Sequence, residues 1–460
     1  MPELAIDDPY TLKVAVRRPL ADESGVESML DAAASAARTY ASVPVDERVA
    51  LCRRAISAMR DDESRIAADI TLMMGKPLTQ ARREVTTMAA RAEHMIAIAG
   101  DSLADTVVTG RAGFERRIER VPLGVVFNMP AWNYPLLTCV NAVVPAVLAG
   151  NAVLLKHSTR TALCGEHFAD AFTRAGAPPG LFQALHCDHD TAARIAKDPR
   201  IGYVAFTGSV SGGHAVYRSV ASERFIDVGL ELGGKDAAYV VADADVALAA
   251  AGLVDGACYN AGQSCCAVER VYVHRSIHDR LLEAVEQEMK KLRLGDPQTE
   301  IDMGPMAQPG APAFLEEQVA DARQKGARLL LGGSPAQVDG KGRFFEPTLL
   351  ADVTHDMNVM RIESFGPILP IMAVDSDDQA VALMNDSDLG LTASLWAADR
   401  DRAAAIARQL EVGTVYLNQC DVLDPALPWT GVKDSGKGST LSALGFLHLT
   451  RPRSIFFKVG

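Results

Sequence analysis

The chain is poor in the features that would place it in a membrane, on a nucleic acid or around a metal. No apolar run approaches the roughly 20 residues a spanning helix needs; runs such as Ala142 to Gly150 are broken by Pro145 and closed by glycine. Positive charge is scarce: 46 Lys and Arg against 58 Asp and Glu leave a net −12. That balance argues against binding a nucleic-acid backbone or an anionic lipid surface. The eight cysteines (Cys52, Cys139, Cys164, Cys187, Cys258, Cys265, Cys266, Cys420) include no Cys-x-x-Cys and lie too far apart for a small disulfide framework. His186-Cys187-Asp188-His189 looks like a metal cluster, but it follows a strand-like Leu181 to Leu185 and reads better as a solvated turn. The opening Met1 to Tyr10 is acidic and proline-bearing, unlike a signal or transit peptide. The expectation is a cytoplasmic protein without a metal, a membrane or a nucleic acid as partner.

What is present is bulk and rhythm. A chain of 460 residues, 48% of them apolar, can bury a large core and divide into two or three domains. Residues 25–100 place apolar positions at helical spacing, which predicts several consecutive helices. Arg116 to Val121 then alternates like a half-exposed strand, and Leu123 to Phe127 reads as a buried one. Strands at Asn151–Lys156, Leu181–Leu185 and Tyr203–Phe206 alternate with helices at 162–175, 191–196 and 213–220. That succession is the pattern of a parallel sheet with crossover helices. A second α/β rhythm follows: strand 237–241, helix 247–259, strand 270–273, helix 277–292. Trp429 to Gly438 reads as a glycine-rich loop and Arg453 to Lys458 as a final strand.

Several residues carry chemistry. Asn260-Ala-Gly-Gln-Ser-Cys265-Cys266 sets a thiol in a polar loop, and Glu231-Leu-Gly-Gly-Lys235 sets a carboxylate beside paired glycines. A thiol and a nearby base are the minimum for covalent catalysis on a carbonyl. Glu231 lies between apolar neighbours, where burial would raise its pKa toward general-base range. Phe206-Thr-Gly208-Ser209 closes a strand and opens a helix, a place that suits a phosphate. Lys156 ends a strand, where ligands sit in open α/β sheets. Gly229 to Lys235 and Gly431 to Lys437 mimic the front of a P-loop, but Asp236 and Gly438 stand where Ser or Thr must hold magnesium.

Together these residues resemble the aldehyde dehydrogenase superfamily along nearly the whole chain. Pro130-Ala-Trp132-Asn133-Tyr134-Pro135 is similar to Pro-Trp-Asn-Phe/Tyr-Pro, and Glu231 to Lys235 matches Glu-Leu-Gly-Gly-Lys. Gly262 to Cys265 matches Gly-Gln-x-Cys, and Glu363-Ser-Phe365-Gly-Pro367 matches Glu-x-Phe-Gly-Pro. Pro428 to Gly436 resembles Pro-Phe-Gly-Gly-x-Lys-x-Ser-Gly. The resemblance implies a Rossmann-like cofactor domain (1–103 and 123–234), a second α/β catalytic domain (235–448), and a small β oligomerisation element (104–122 with 449–460). A homodimer or homotetramer would follow.

The resemblance also implies roles. Cys265 would be the nucleophile, Asn133 and the Cys265 N–H the oxyanion donors, and Glu231 the base that activates water. Lys156 and Glu363 would hold the riboses of NADP or NAD, Ser209, Gly208 and Trp132 its diphosphate region, and Phe365 its nicotinamide. Thr159 stands where many NAD-preferring members carry an acid, so NADP is expected to be accepted, with Arg160 adding attraction. Tyr134, Asn141, Tyr259, Ser264, Cys266, Leu423 and Trp429 would line the aldehyde tunnel. Asn141 replaces the arginine that pairs the carboxylate in semialdehyde-specific relatives, which speaks against a dedicated succinate-semialdehyde enzyme. Tyr134 and Trp429 suggest an incomplete aromatic cage for a quaternary ammonium group; an uncharged aldehyde fits equally. A coenzyme A-acylating enzyme and a catalytically silent protein on this scaffold are the alternatives.

Overall fold

The computed structural model describes residues 2–459. A hairpin that the sequence pattern does not reveal comes first, β1 (Glu3–Asp7) with β2 (Val14–Pro19). Four helices follow as the periodicity predicts: α1 (Glu23–Tyr40), α2 (Val45–Asp61), α3 (Glu63–Met74) and α4 (Leu78–Leu103). Asp22 caps α1 by accepting the Gly25 N–H at 2.8 Å, satisfying one of the donors a helix start leaves open. α3 stops at Gly75, whose φ of +74° is the left-handed turn that favours glycine.

The first sheet explains where a ligand can bind. After β3 (Thr106–Val107) and β4 (Phe114–Pro122) come the parallel strands β5 (Val125–Met129), β6 (Ala152–Leu155), β7 (Phe182–Ala184), β8 (Ile201–Thr207) and β9 (Asp227–Glu231). They lie in the order β9-β8-β5-β6-β7. The chain therefore builds outward from β5 through β7, then returns to the other side of β5. Such a reversal opens a crevice at the carboxyl ends of the strands. All residues of β5 and β6 are buried, because helices cover both faces of a parallel sheet. The crossover helices are α5 (Leu137–Leu148), α6 (Ala162–Arg174), α7 (His189–Ala196) and α8 (Val210–Ala221). α5 is buried on nearly every side; a helix without a polar face has no 3.6-residue period to read.

The second sheet comprises β10 (Ala237–Val240), β11 (Arg270–His274), β12 (Arg328–Leu331), β15 (Thr348–Ala351), β16 (Ile368–Val374), β18 (Thr392–Trp396) and β19 (Thr414–Leu417). Its order is β12-β15-β16-β11-β10-β18-β19, parallel except for β12 against β15. α9 (Val246–Cys258) and α10 (His278–Met289) connect its first strands. β13 (Pro335–Val338) and β14 (Lys341–Phe345) form a separate hairpin, and β17 (Leu389–Gly390) pairs with β20 (Val432–Lys433).

The tail ties the parts together. Within the stretch read as a loop, β21 (Gly436–Lys437) pairs antiparallel with the end of β9, setting Gly436 opposite Glu231. Trp429, Leu441, Phe446 and Leu449 pack into the core of the first sheet, not the second. β22 (Thr450–Lys458) runs antiparallel to all of β4, and β3 flanks β4 on its other side. The His186–His189 segment is a turn whose members have separate tasks. His186 Nε2 lies 2.9 Å from Glu166 Oε1, and Asp188 caps α7 through the Thr191 N–H at 2.8 Å. Among the described residues no helix is long and apolar enough to cross a membrane.

Candidate active site

The thiol loop begins where α9 ends. Asn260, Ala261 and Gly262 all have left-handed φ, at +54°, +56° and +70°. For the first two that conformation costs on the order of 1–3 kcal/mol each. Hydrogen bonds hold it in place. Asn260 Nδ2 donates to the carbonyls of Asn133 and Gln263, both at 3.0 Å. Gln263 Nε2 donates to the Asn260 carbonyl at 3.0 Å, and its Oε1 accepts the Ala307 N–H at 2.8 Å. A Cβ on Gly262 would meet the Gly366 carbonyl carbon at 2.3 Å, so the loop can approach that segment only with glycine here. The result presents Cys265 half-buried at the loop's end.

Asn133 follows β5 on a loop clamped from the helical region. Lys76 Nζ donates to the Asn133 carbonyl at 2.9 Å and forms a buried ion pair with Glu84. Glu84 in turn accepts the Leu136 N–H at 2.8 Å. These bonds use the Asn133 backbone and leave its side-chain amide without a partner among the described residues.

Glu231 terminates β9. Its Oε1 accepts from Thr440 Oγ1 at 2.5 Å and its Oε2 from Thr207 Oγ1 at 3.4 Å. Burial raises its pKa above the usual carboxylate range, and the Thr440 hydrogen bond opposes the rise. Thr440 belongs to no motif; the turn after β21 and a backbone bridge to Trp429 bring it here.

Two cavities meet at these groups. One, of about 520 Å³, runs along the carboxyl ends of the first sheet; Lys156, Gly208, Ser209, Trp132, Glu363 and Phe365 all line it. The other, of about 360 Å³, leads away between α4, α5 and the tail; Tyr134, Asn141, Tyr259, Cys266, Leu423 and Trp429 line it. Cys265 and Glu231 line both, and Asn133 lines the first.

The larger cavity fits a dinucleotide. It sits at the strand-order reversal and faces the start of α8, where Ser209 caps by accepting the Gly212 N–H at 3.1 Å. Helix-start N–H groups beside glycine suit a pyrophosphate. The Trp132 and Phe365 rings meet edge to face, 5.4 Å apart. A buried network anchors the Phe365 segment. Lys235 Nζ donates to Glu269 Oε2 at 2.6 Å, and Glu269 also accepts the Ser364 and Phe365 N–H groups at 2.7 and 2.8 Å. Glu363 accepts the Gly234 N–H at 3.0 Å; burial, with the charge of Glu269, pushes its carboxyl up to about 8.

Several sequence-based expectations need correction. Thr159 is exposed in a short 3-10 turn and does not line the cavity; Ser158 and His189 do. Arg160 turns away, paired with Asp7 and donating to the Asp7 carbonyl at 2.6 Å, so its charge is already compensated. Ser264 stands behind the tunnel wall, donating to Asp421 at 3.3 Å. The Tyr134 ring carries the Lys76 ammonium 4.2 Å from its centre, which removes it from a cage for a second cation.

The sequence reading also missed polar wall residues. Gln80, Arg83, Glu84, Thr87 and Arg91 line the tunnel from α4. Their spacing of three, four, seven and eleven residues is a helical stripe of polar side chains, a signal present in the sequence. Asp421 joins them from the tail, accepting from Cys266 Sγ at 2.8 Å; burial pushes its carboxyl up to about 6.

A thiol and a buried carboxylate between a dinucleotide-shaped cleft and a side tunnel define a class of nucleotide-dependent oxidoreductase that works through a covalent intermediate. Comparison with known proteins narrows the class. The family model for the aldehyde dehydrogenase family matches residues 2–455. Over 435 residues the chain is 35% identical to an aldehyde dehydrogenase of Paenarthrobacter nicotinovorans, covering 94% of each chain. Over the same length it is 36% identical to an NAD(P)+ succinate semialdehyde dehydrogenase of Escherichia coli strain K12, covering 94% of this chain and 92% of the relative. The solved lactaldehyde dehydrogenase of Escherichia coli superposes with a TM-score of 0.95 at 30% identity, covering 100% of this chain and 96% of that one. The chain belongs to the aldehyde dehydrogenase family.

Proposed function

We propose that the protein oxidises an aldehyde to a carboxylic acid with NADP or NAD, using Cys265 as nucleophile and Glu231 as hydrolytic base. The observation that carries this reading is the position of both groups on the wall shared by the two cavities. A group placed there reaches a substrate from one side and a cofactor from the other. The bound nicotinamide would supply the acceptor for the aldehyde hydrogen; Lys156, Ser209, Trp132, Glu363 and Phe365 would hold the dinucleotide.

The Cys265 thiolate attacks the aldehyde carbon and forms a C–S bond. The carbonyl oxygen, now an oxyanion, accepts from the free Asn133 amide and the Cys265 N–H; removing one such donor typically costs ~2.7–4 kcal/mol. After oxidation the acyl group is a thioester on Cys265. Glu231 takes a proton from water, the resulting hydroxide attacks the thioester carbon, and the C–S bond breaks to release the acid and the thiolate. Thr440 and Thr207 hold the carboxylate for that step.

The same reading divides the chain into a cofactor unit (1–103, 123–234), a catalytic unit (235–448) and an oligomerisation element (104–122, 449–460). Phe456 and Phe457, more than half exposed on β22, support pairing with a second copy as a dimer or a dimer of dimers. Relatives named for NADP(+) support acceptance of NADP. A net charge of −12 and the absence of a membrane-length helix among the described residues support a cytoplasmic location. Relatives act on succinate semialdehyde and lactaldehyde by name, which supports a small aldehyde as substrate.

The test is NAD(P)H formation from an aldehyde panel by wild type and Cys265→Ala, with and without coenzyme A. Acid as product, no dependence on coenzyme A, and a dead variant are expected. Acyl-coenzyme A as the main product, or full activity in the variant, would overturn the mechanism.

A further inference from the structure

Arg91 lies on α4 in the tunnel wall, 6% exposed, and the reaction as described makes no use of it. A guanidinium offers five N–H donors and does not deprotonate in proteins. One of the five is used: Nη1 donates to Asn141 Oδ1 at 3.3 Å, a long bond to a neutral acceptor. Nε is enclosed without a partner, and no described carboxylate forms an ion pair with the group. Glu231, Glu84 and Asp421 act on its charge only without direct contact, and a permanent cation in a buried wall with no bonded carboxylate gains from a ligand that supplies one.

Three of the carboxyl groups around it have other hydrogen-bond partners. Glu84 is bound to Lys76 and the Leu136 N–H, Glu231 to Thr440 and Thr207, and Asp421 to Cys266 and Ser264. Asp255 lines the same cavity with Arg83. The position that lacks an arginine on α5, Asn141, is the residue Arg91 touches, so a guanidinium reaches that place from α4.

We propose that Arg91 is a specificity-determining residue that binds a carboxylate at the far end of the substrate, making this a dehydrogenase of carboxylate-bearing aldehydes. This rests on the aldehyde oxidation set out above. In the complex a carboxylate would accept two parallel N–H bonds from the guanidinium, with Asn141 positioning the fork. Arg91 does not touch the reacting atoms.

The test compares succinate semialdehyde with butanal, which lacks the carboxylate, and adds binding of succinate and butyrate by calorimetry. Wild type is expected to favour succinate semialdehyde in kcat/KM by about 100-fold or more, because a site with buried polar donors rejects the analogue that leaves them unpaired. Arg91→Met should lose that preference mainly through KM, with a much larger loss on succinate semialdehyde than on butanal, while Arg91→Lys restores part of it. Equal losses on both aldehydes, or a wild type that oxidises butanal without favouring the anion, overturn the proposal. Calorimetry on wild type needs no variant to fold: succinate binding no tighter than butyrate also overturns it. If succinate binds through Arg91 but no aldehyde is oxidised, the oxidation reading fails and the anion site stands.

Discussion

The two cavities that meet at Cys265 are built in opposite ways. The cofactor side is made mostly by the ends of neighbouring parallel strands, with Glu363 and Phe365 added from the loop before β16: β5 delivers Trp132 and Asn133, β6 Lys156, β8 Gly208 and Ser209, and β9 Glu231. Each arrives within a few residues of a strand end, so backbone geometry fixes its place. The tunnel side is made by side chains from α4, α5, the end of α9 and the tail, segments more than 300 residues apart at the extremes, from Gln80 to Trp429. There the wall depends on which rotamers pack and which charges pair. One side is a frame set by topology, the other a surface open to variation, and a change of substrate needs to touch only the second.

The largest effect should come from the group the two sides share. Cys265→Ala is expected to lower kcat by about 10⁴-fold or more with any aldehyde, while NADP binding followed by fluorescence stays within a few-fold. A surviving turnover would break the idea of a common junction. Glu231→Gln should lower steady-state kcat by about 10²–10⁴-fold yet keep a burst of NAD(P)H, since it removes hydrolysis and not attack. Because burial holds the Glu231 pKa above the usual carboxylate range, wild-type kcat should rise with pH along a limb displaced upward from that range. The Gln variant should lose the limb, and a limb that persists assigns it to another group.

Damage to the frame should register as stability. Lys235→Met leaves Glu269 buried without its counter-charge, which costs about 3–5 kcal/mol; denaturant unfolding should show this, with cofactor affinity falling as the Phe365 segment loosens. Unchanged stability would mean that the Lys235–Glu269 pair does not hold that frame.

Asp421 sharpens the tunnel side. Its folded pKa is raised to about 6 from 3.8, so the folded state binds the proton more tightly than the unfolded chain. Relative stability from this group is full below the unfolded value and falls as pH rises through about 6. Asp421→Asn should flatten that fall in Tm, by an amount equivalent to about 3 kcal/mol; a pH profile of Tm identical to wild type would refute it. The smallest effect is expected at Thr159→Glu. It should weaken NADP binding by about tenfold or less and leave NAD nearly unchanged, since an exposed charge acts through high dielectric. Equal weakening of both cofactors would remove Thr159 from any part in the choice.

Much of this difference is legible in the sequence. The alternation of strands and helices from residue 123 onward predicts the first sheet, because one-sided helices and doubly buried strands leave distinct periods. The β1–β2 hairpin, the all-buried α5 and the short strands β20 and β21 left no such trace. A two-residue strand exists only because a partner stands beside it, and Glu231 supplies that partner for Gly436. The stripe from Gln80 to Arg91 was legible as polar residues at helical spacing, but its direction was not: a polar stripe on a helix usually faces solvent.

The sequence alone carries the motifs on which the proposed chemistry rests. Gly262-Gln-Ser-Cys265 and Glu231-Leu-Gly-Gly-Lys235 are contiguous, and short-range backbone geometry sets how a residue in such a segment is presented. Tertiary structure decided the company each group keeps. It sent Arg160 to Asp7, set Lys76 over Tyr134, turned Ser264 behind the wall and left Arg91 without a direct ion pair. Charge pairing depends on distance in space, and only the folded chain fixes distances between residues far apart in sequence.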